Sequence, residues 1–219
     1  MIDLFLPRAC PCCGQRLLKY EHCICLWCLH ELPLACHHRT ADLEMKHRFF
    51  GRVHLTAATA LLQFQKQGYT QRLLHQLKYR GNQQIGSYLG NWLGEELTDT
   101  GYARTQLVVP VPLHKRKLRK RGYNQVSNFA KKLALALDAD YREDLLVRKN
   151  YTRSSVFKGR IRRVATKNPF AISRKQPILE KVVLLVDDVI TTGTTLEHCA
   201  SLIWTAKPSE LRMATMFIA

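Results

Sequence analysis

The sequence predicts an α/β protein with a mainly parallel sheet flanked by helices, preceded by a small cysteine-rich module. From about residue 50 onward, apolar segments with strand and helix periodicity alternate along the chain. One of them, 182–186, is an unbroken Val/Leu run typical of a buried parallel strand. Seven of the eight cysteines lie within the first 36 residues. We therefore expect a module over 1–40, a polar linker over 39–48 and an α/β domain over 50–219.

The elements of the α/β domain are predicted from the spacing of its apolar residues. Short apolar runs predict strands over 53–64 (one or two strands), 107–111, 145–147, 182–186 and 211–218. Apolar residues that recur every three or four positions predict helices over 70–78, 85–97, 126–137 and 195–205. Strands that alternate with helices in this way form parallel sheets with right-handed crossovers.

Composition narrows the classes of function. Apolar residues make up 46% of the chain, which is enough for a core and argues against global disorder. No apolar run approaches the roughly 20 residues that span a bilayer, and the opening segment 1–7 is too short for a signal peptide. We therefore expect a cytoplasmic protein without membrane insertion. The formal net charge of +17, from 34 basic and 17 acidic side chains, favours a polyanionic partner such as nucleic acid.

Two Cys-x-x-Cys motifs, Cys10 to Cys13 and Cys25 to Cys28, dominate the N-terminal module. Each motif places two thiolates on one side of a tight turn, and two such turns supply four sulfurs tetrahedrally to zinc, at about 2.3 Å from the ion. Gly14 suits the sharp turn after the second sulfur. Four sulfur ligands leave no open position for water, so the spacing predicts a structural zinc site rather than a catalytic one.

Other residues near the two motifs are also candidate metal ligands. Cys23 is a rival to Cys25, although only Cys25 gives the two-residue gap to Cys28. His37 and His38 follow Cys36 and are further candidates. Cys12, Cys23 and Cys36 otherwise have no predicted role.

A second motif follows the Val/Leu run, where Asp187 and Asp188 precede a Thr/Gly loop and then a helix. Acids at the carboxyl end of a parallel strand can accept hydrogen bonds from the hydroxyls of a ribose. Backbone N–H groups and hydroxyls at the start of a helix favour a phosphate. The segment lacks a Gly-Lys-Ser/Thr and is not a nucleotide P-loop. It therefore predicts a sugar-phosphate site, the alternative being a polar turn with a Thr cap. The loop residues are Thr191, Thr192, Gly193, Thr194 and Thr195.

Two basic segments complete the set of candidate sites. The first is predicted to be a loop after the 107–111 strand, where it would bind a pyrophosphate or a nucleic-acid backbone. It contains Lys115, Arg116, Lys117, Arg119, Lys120 and Arg121, preceded by His114. The second interleaves cations with aromatic residues, a pattern that suits single-stranded nucleic acid. It spans 148–163 and contains Arg153, Lys158, Arg160, Arg162 and Arg163. The alternative for both segments is a solvated loop.

In combination, these motifs resemble the ComF family, competence-associated proteins with a type I phosphoribosyltransferase-like fold. The resemblance rests on the Cys-x-x-Cys pairs, 77–81 (LKYRG), 110–114 (PVPLH), 121–125 (RGYNQ) and 187–195. It implies that Asp187 and Asp188 hold the ribose hydroxyls of phosphoribosyl pyrophosphate (PRPP), while 191–195 cradles the 5-phosphate. By the same resemblance, Mg²⁺ accompanies PRPP, and the pyrophosphate lies near His114 and Lys115.

The resemblance is compatible with two main hypotheses about the function. The first is a DNA-handling protein of natural competence that binds single-stranded DNA, retains a PRPP-type pocket and meets proteins of the competence machinery. The second is an active phosphoribosyltransferase that passes the ribosyl phosphate to an unidentified nucleophile. Purine-salvage enzymes of this fold carry an acid where Thr191 stands, which argues against that substrate class. A purely structural adaptor leaves the phosphate-binding pattern without a role.

Overall fold

A computed structural model describes residues 8–39, 44–149, 168–173 and 178–219. Its strands are β1 Ala57–Gln63, β2 Leu107–Pro110, β3 Asp140–Tyr141, β4 Leu146–Arg148, β5 Phe170–Ile172, β6 Val182–Ile190 and β7 Glu210–Ile218. Its α-helices are α1 Leu26–His30, α2 Glu44–His47, α3 Tyr69–Tyr79, α4 Gln84–Leu97, α5 Lys115–Arg121, α6 Ser127–Ala136 and α7 Thr194–Trp204. A short 3₁₀ helix spans Gly101–Arg104.

Five strands form a parallel sheet in the order β1-β7-β6-β2-β3, and β4 pairs antiparallel with β5 in a separate hairpin. The two long central strands are buried on both faces, which explains the continuous apolar run that begins at Val182. Alternate residues of β6 point to opposite faces. Leu184 and Val186 belong to one core, and Val183 and Leu185 belong to the other.

The two cores hold different parts of the chain. The first contains the buried faces of α3, α4 and α6 together with the N-terminal module, so that Cys10 and Cys28 share a core with Leu73 and Leu77. The second contains α7, the β4–β5 hairpin and the segment around Phe49. A parallel sheet with packing on both faces confirms the predicted α/β class.

Most predicted elements agree with the structure to within one or two residues, but three expectations were wrong. The basic segment Lys115–Arg121 is the helix α5 and not a loop. The strand predicted over 182–186 continues to Ile190, so the acid pair lies inside β6. Part of the predicted linker is the helix α2, and Met45 and Phe49 are fully buried.

No helix in the described part of the chain is long and apolar enough to cross a membrane.

Candidate functional site

The acid pair lies at the centre of the sheet, close to its carboxyl edge. Asp187 pairs with Thr215 of β7, and both acids are nearly buried, with exposed fractions of 8% for Asp187 and 5% for Asp188. Successive strand residues point to opposite faces, so the two carboxyl groups have different surroundings. The strand extends past the acids because β7 continues alongside it to Ile218.

Asp188 is held by side chains from helix α3 and from the turn between α5 and α6. The Lys78 Nζ atom lies 2.9 Å from Asp188 Oδ2. The Gln125 Nε2 atom donates a hydrogen bond of 2.7 Å to the same oxygen. Tyr123 donates a hydrogen bond from its hydroxyl to the carbonyl of Leu77, the residue before Lys78. The segments 77–81 and 121–125, which are far apart in sequence, therefore meet at one carboxylate.

Asp187 has little exposure and a like charge beside it. Burial, followed by the neighbouring Asp188 carboxylate, raises the pKa of Asp187 to about 8, against a lowering effect of the Asp188 backbone N–H, Lys78 and Arg148. The Asp187 Oδ1 atom accepts a 2.8 Å hydrogen bond from the backbone N–H of Asp188. This carboxyl therefore holds its proton more strongly than an exposed aspartate, and nearby cations favour its ionised form.

The Thr/Gly loop turns sharply between β6 and α7. Gly193 has a positive φ of 78°, and the helix begins at the next residue. A side chain at Gly193 would meet the ring of Phe49, since an added Cβ would lie 2.8 Å from Phe49 Cε1. The Thr192 and Thr194 hydroxyls lie 3.1 Å apart. The loop therefore leaves backbone N–H groups at the helix start, where an anion is favoured.

Two arginines, Arg48 and Arg52, donate hydrogen bonds to the backbone carbonyls of this loop. Arg48 Nη1 donates to the carbonyl of Thr191 at 3.4 Å, and Arg52 Nη1 donates to the carbonyl of Thr192 at 3.3 Å. Arg52 also pairs with Glu197 in the first turn of α7, at 3.0 Å. This support was not predicted, because 39–48 was expected to be a linker and Arg52 had no predicted role. The spacing of Met45, Phe49 and Val53 was the available signal.

A cavity of about 270 Å³ joins the acid pair to the loop. Its lining combines the two carboxylates, two loop threonines and four cations, a composition suited to a polyhydroxylated phosphate ligand. These residues are Asp187, Asp188, Thr191, Thr195, Lys78, Lys117, Arg121 and Arg148. Lys78 and Gln125 were not predicted as site residues, because their convergence on Asp188 depends on the folded chain, and Arg148 was predicted only as part of the second basic segment.

The basic helix α5 flanks this cavity. His114 caps the helix, with its Nδ1 atom accepting a hydrogen bond of 3.1 Å from the backbone N–H of Arg116. Gly122 ends the helix with a φ of 82°. Lys117 and Arg121 line the cavity that contains the acids, whereas Lys115 lines a neighbouring one. Residues 115–120 are exposed, and no ion pair forms between the α5 cations and any described carboxylate.

The second basic segment is described only in part. Arg148 and Lys149 are included, and Arg148 lines the cavity. The predicted nucleic-acid contacts at Arg153, Lys158, Arg160, Arg162 and Arg163 lie outside the described residues.

The four predicted metal ligands converge in the N-terminal module. The sulfurs of Cys10, Cys13, Cys25 and Cys28 all lie within 4.8 Å of one another, close enough to hold one metal ion. Burial raises the pKa of Cys10, but hydrogen bonds from the backbone N–H groups of Cys25, Cys13 and Cys12 outweigh burial and lower the pKa to about 7. Burial and the neighbouring sulfurs raise the pKa of Cys28. A cation offsets the repulsion among four thiolates, so this donor set fits zinc.

The remaining N-terminal candidates lie outside this sulfur cluster. Burial, followed by the charge of Cys10, raises the pKa of Cys23 to about 12, and its sulfur is not among the four that lie together. His38 uses both ring nitrogens elsewhere, with Nε2 at 2.6 Å from Glu96 Oε2 and Nδ1 at 3.0 Å from Thr59 Oγ1. The described residues thus favour Cys25 over Cys23.

Helix α3 contacts both the cysteine module and the cavity. At its start, Arg72 Nη1 donates a 2.8 Å hydrogen bond to the carbonyl of Cys12. The Cys28 charge and a hydrogen bond to that sulfur raise the pKa of Tyr69. At its end, Lys78 reaches Asp188. The helix therefore fixes the position of the sulfur cluster relative to the acid pair.

Comparisons with known proteins agree with these features. Residues 127–218 match the family model described as "Phosphoribosyl transferase domain". The chain is 31% identical over 136 residues to "DNA utilization protein YhgH" of Escherichia coli O157:H7, covering 60% of this chain and 59% of that protein. It is 32% identical over 135 residues to "Competence protein ComFC" of Streptococcus pneumoniae, covering 62% of this chain and 57% of that protein.

A third relative, "Competence protein F" of Haemophilus influenzae, is 34% identical over 101 residues, which cover 45% of this chain and 44% of that protein. The chain spans about three fifths of the length of the first relatives that it matches. These relatives confirm the resemblance to the ComF family, and residues 127–218 are similar to a phosphoribosyl transferase domain.

Proposed function

We propose that this chain, a ComF-like protein with a phosphoribosyl transferase domain, binds single-stranded DNA in natural competence and retains a pocket for PRPP. The observation that carries the proposal is the position of α5 beside the cavity of the acid pair. Helix α5 carries six exposed or half-exposed cations, and two of them, Lys117 and Arg121, line a site that contains two carboxylates and a helix start. The names of the relatives support a role in DNA handling.

The DNA-binding part of the proposal follows from charge repulsion within α5. Lys115–Arg119, Arg116–Lys120 and Lys117–Arg121 are like-charged pairs four residues apart, and each destabilises an isolated helix by about 0.2–0.5 kcal/mol. A polyanion lying along the helix removes that repulsion and releases its own counterions. The backbone of a single strand is a polyanion with this property. Proteins of the competence machinery would meet the protein through the same strand.

A charge-matched pair of variants tests DNA binding. Replacing Arg116, Arg119 and Lys120 with Gln should weaken binding of a single strand and lower the slope of log affinity against log salt by about 2, since each lost phosphate contact contributes about 0.7. Replacing Lys19, Lys66 and Lys181, which are exposed elsewhere, removes the same charge and should leave the slope nearly unchanged. Equal effects of the two triple variants would show that α5 is not the binding surface.

The pocket would hold PRPP through carboxylates at the ribose and through cations and backbone N–H groups at the phosphates. Asp187 and Asp188 would accept hydrogen bonds from the ribose hydroxyls, and 191–195 would surround the 5-phosphate. The nearby cations Lys117 and Arg121 would face the pyrophosphate, together with the predicted His114 and Lys115. Carboxylate oxygens are also ligands that Mg²⁺ prefers, so the acid pair fits an ion that accompanies the pyrophosphate and neutralises its charge.

Calorimetric titration with PRPP and Mg²⁺ tests the pocket. Asp188→Asn should weaken binding at least about tenfold, since it removes a charge that orders Lys78 and accepts from the ligand. Asp99→Asn, at an exposed acid outside the cavity, is the matched control. Binding that survives both Asp188→Asn and Asp187→Asn would place the ligand elsewhere.

Ribosyl transfer is the second candidate function, and the complete acid–loop–cation set at one cavity favours it. Release of pyrophosphate from PRPP by the purified protein, alone and with candidate amines, tests it. Release that depends on Asp187 and on an added nucleophile would support turnover. Tight PRPP binding without release, across those nucleophiles, would support a ligand-binding role instead.

The cysteine cluster would hold one structural zinc ion through Cys10, Cys13, Cys25 and Cys28. Elemental analysis of reduced protein should find about one zinc per chain. Cys25→Ser should lower that content, whereas Cys36→Ser should not, because Cys36 is outside the cluster. Metal-free protein with a normal fold would contradict this assignment.

A further inference from the structure

A second cavity, of about 210 Å³, adjoins the acid-pair cavity on the side of α5. Its walls are largely apolar, and two of the apolar side chains are unusually exposed. Leu118 of α5 is 41% exposed and Val147 of β4 is 46% exposed. Pro112, Leu113 and Leu146 form further parts of the wall. The volume is below the roughly 300 Å³ of pockets that enclose drug-sized ligands, so the cavity suits a smaller flat group.

The rim of this cavity is cationic. Lys115 and Arg148 line it, and the other cations of α5 continue away from it along the helix. The acidic member of the lining, Glu143, accepts a 2.9 Å hydrogen bond from the Ser127 hydroxyl through Oε1. An apolar slot whose lining includes Lys115 and Arg148, and which adjoins the basic helix α5, is poorly suited to an apolar peptide. It suits a chain that alternates flat apolar rings with negative charges.

The position of Leu118 strengthens this argument. Leu118 is the single apolar residue of the seven in α5, and its neighbours on both sides are cations. At 41% exposure, Leu118 is neither packed in a core nor fully solvated, and part of its surface lines the cavity. Leu118 lines the cavity together with Val147, so that α5 and β4 both contribute to its wall.

The two cavities share part of their lining. Pro112, Leu113 and Arg148 contribute to both, so a ligand in one lies next to a ligand in the other. A strand held at the second cavity would therefore approach the proposed PRPP pocket.

We propose that the cavity between Leu118 and Val147 receives one base of the bound single strand, while the adjoining phosphates lie on the cations of α5. This inference rests on the proposed DNA binding and adds a base-dependent contact to it. The contact is apolar and tolerates any base, since every base presents a flat face. It differs from the phosphate contacts in being insensitive to salt.

Strands with and without bases test the proposal. Fluorescence anisotropy would compare an oligothymidylate of about 12 nucleotides with an abasic strand of the same length and charge. The wild-type protein should bind the base-bearing strand about five- to tenfold more tightly, which is the low end for one stacked base because the cavity lining is aliphatic rather than aromatic. Leu118→Ala and Val147→Ala should each remove most of that preference, with unchanged affinity for the abasic strand and an unchanged salt slope.

Leu135→Ala is the matched control, because Leu135 is 75% exposed on α6 and lies outside the cavity lining. Circular dichroism would verify that each variant is folded. Equal wild-type affinity for the two strands, or a preference that survives both cavity variants, would overturn the proposal while leaving DNA binding intact. Failure to bind either strand at low salt would overturn the proposed DNA binding as well. Free nucleobase that binds through Leu118, without any preference between strands, would assign the cavity to a small molecule.

Discussion

Gly193→Ala should destabilise the protein in two separable ways. The residue has a φ of 78°, a conformation that costs an L-residue about 1–2 kcal/mol. The new Cβ would also lie 2.8 Å from Cε1 and 3.0 Å from Cζ of Phe49, and overpacking of this kind costs about 1–3 kcal/mol. Phe49 is fully buried and cannot move aside freely. The free energy of unfolding should therefore fall by about 2–5 kcal/mol.

Urea denaturation of four variants, namely Gly193→Ala, Gly81→Ala, Phe49→Leu and the double variant, separates the two effects. Gly81 has a similar φ of 73° but nothing within 4 Å of an added Cβ, so Gly81→Ala should show the backbone cost alone. Phe49→Leu combined with Gly193→Ala should be more stable than the sum of the single changes predicts, by about 1–3 kcal/mol. A cost at Gly193 no larger than that at Gly81 would refute the packing of Phe49 against the loop.

The other predictions concern the acid pair and α3. Because the folded pKa of Asp187 is raised to about 8, the folded state binds more protons than the unfolded state between about pH 4 and 8, so stability should fall as pH rises through that window. Asp187→Asn should flatten this fall in urea titrations at several pH values; an unchanged profile would contradict it. Lys78→Met should cost about 1–3 kcal/mol by leaving buried Asp188 with one partner fewer. Arg104→Gln, at the exposed pair with Glu210, should cost about 0–1 kcal/mol, and equal costs would refute the buried role of Lys78. Tyr69→Phe should speed zinc loss to a chelator, whereas equal rates would remove Tyr69 from the metal site.

Periodicity predicted the long elements because burial alone fixes them. Strand β6 is buried on both faces, which requires an unbroken Val/Leu run, and helix α6 is buried on one face, which requires an apolar stripe. The Cys-x-x-Cys spacing predicted the sulfur cluster because each motif brings two sulfurs together within one short turn.

The errors arose where local signals compete. The charge density of α5 suggested a loop, although Gly122 immediately after the last cation is a helix-ending signal. The acids suggested the end of a strand, because a buried carboxylate is costly without partners. Lys78 and Gln125 supply those partners from elsewhere in the chain, and no local pattern reveals that pairing.

The coupling between the DNA-binding helix α5 and the PRPP pocket is tested most directly by fluorescence anisotropy. A labelled single strand is bound to the protein, and PRPP and Mg²⁺ are titrated into the complex. Because Lys117 and Arg121 of α5 line the acid-pair cavity, we expect salt-dependent DNA binding whose affinity changes when PRPP is added. In the Asp188→Asn variant, we expect the DNA affinity to be unaffected by PRPP. Absence of DNA binding at low salt, or binding indifferent to PRPP at saturating concentration, would contradict this coupling.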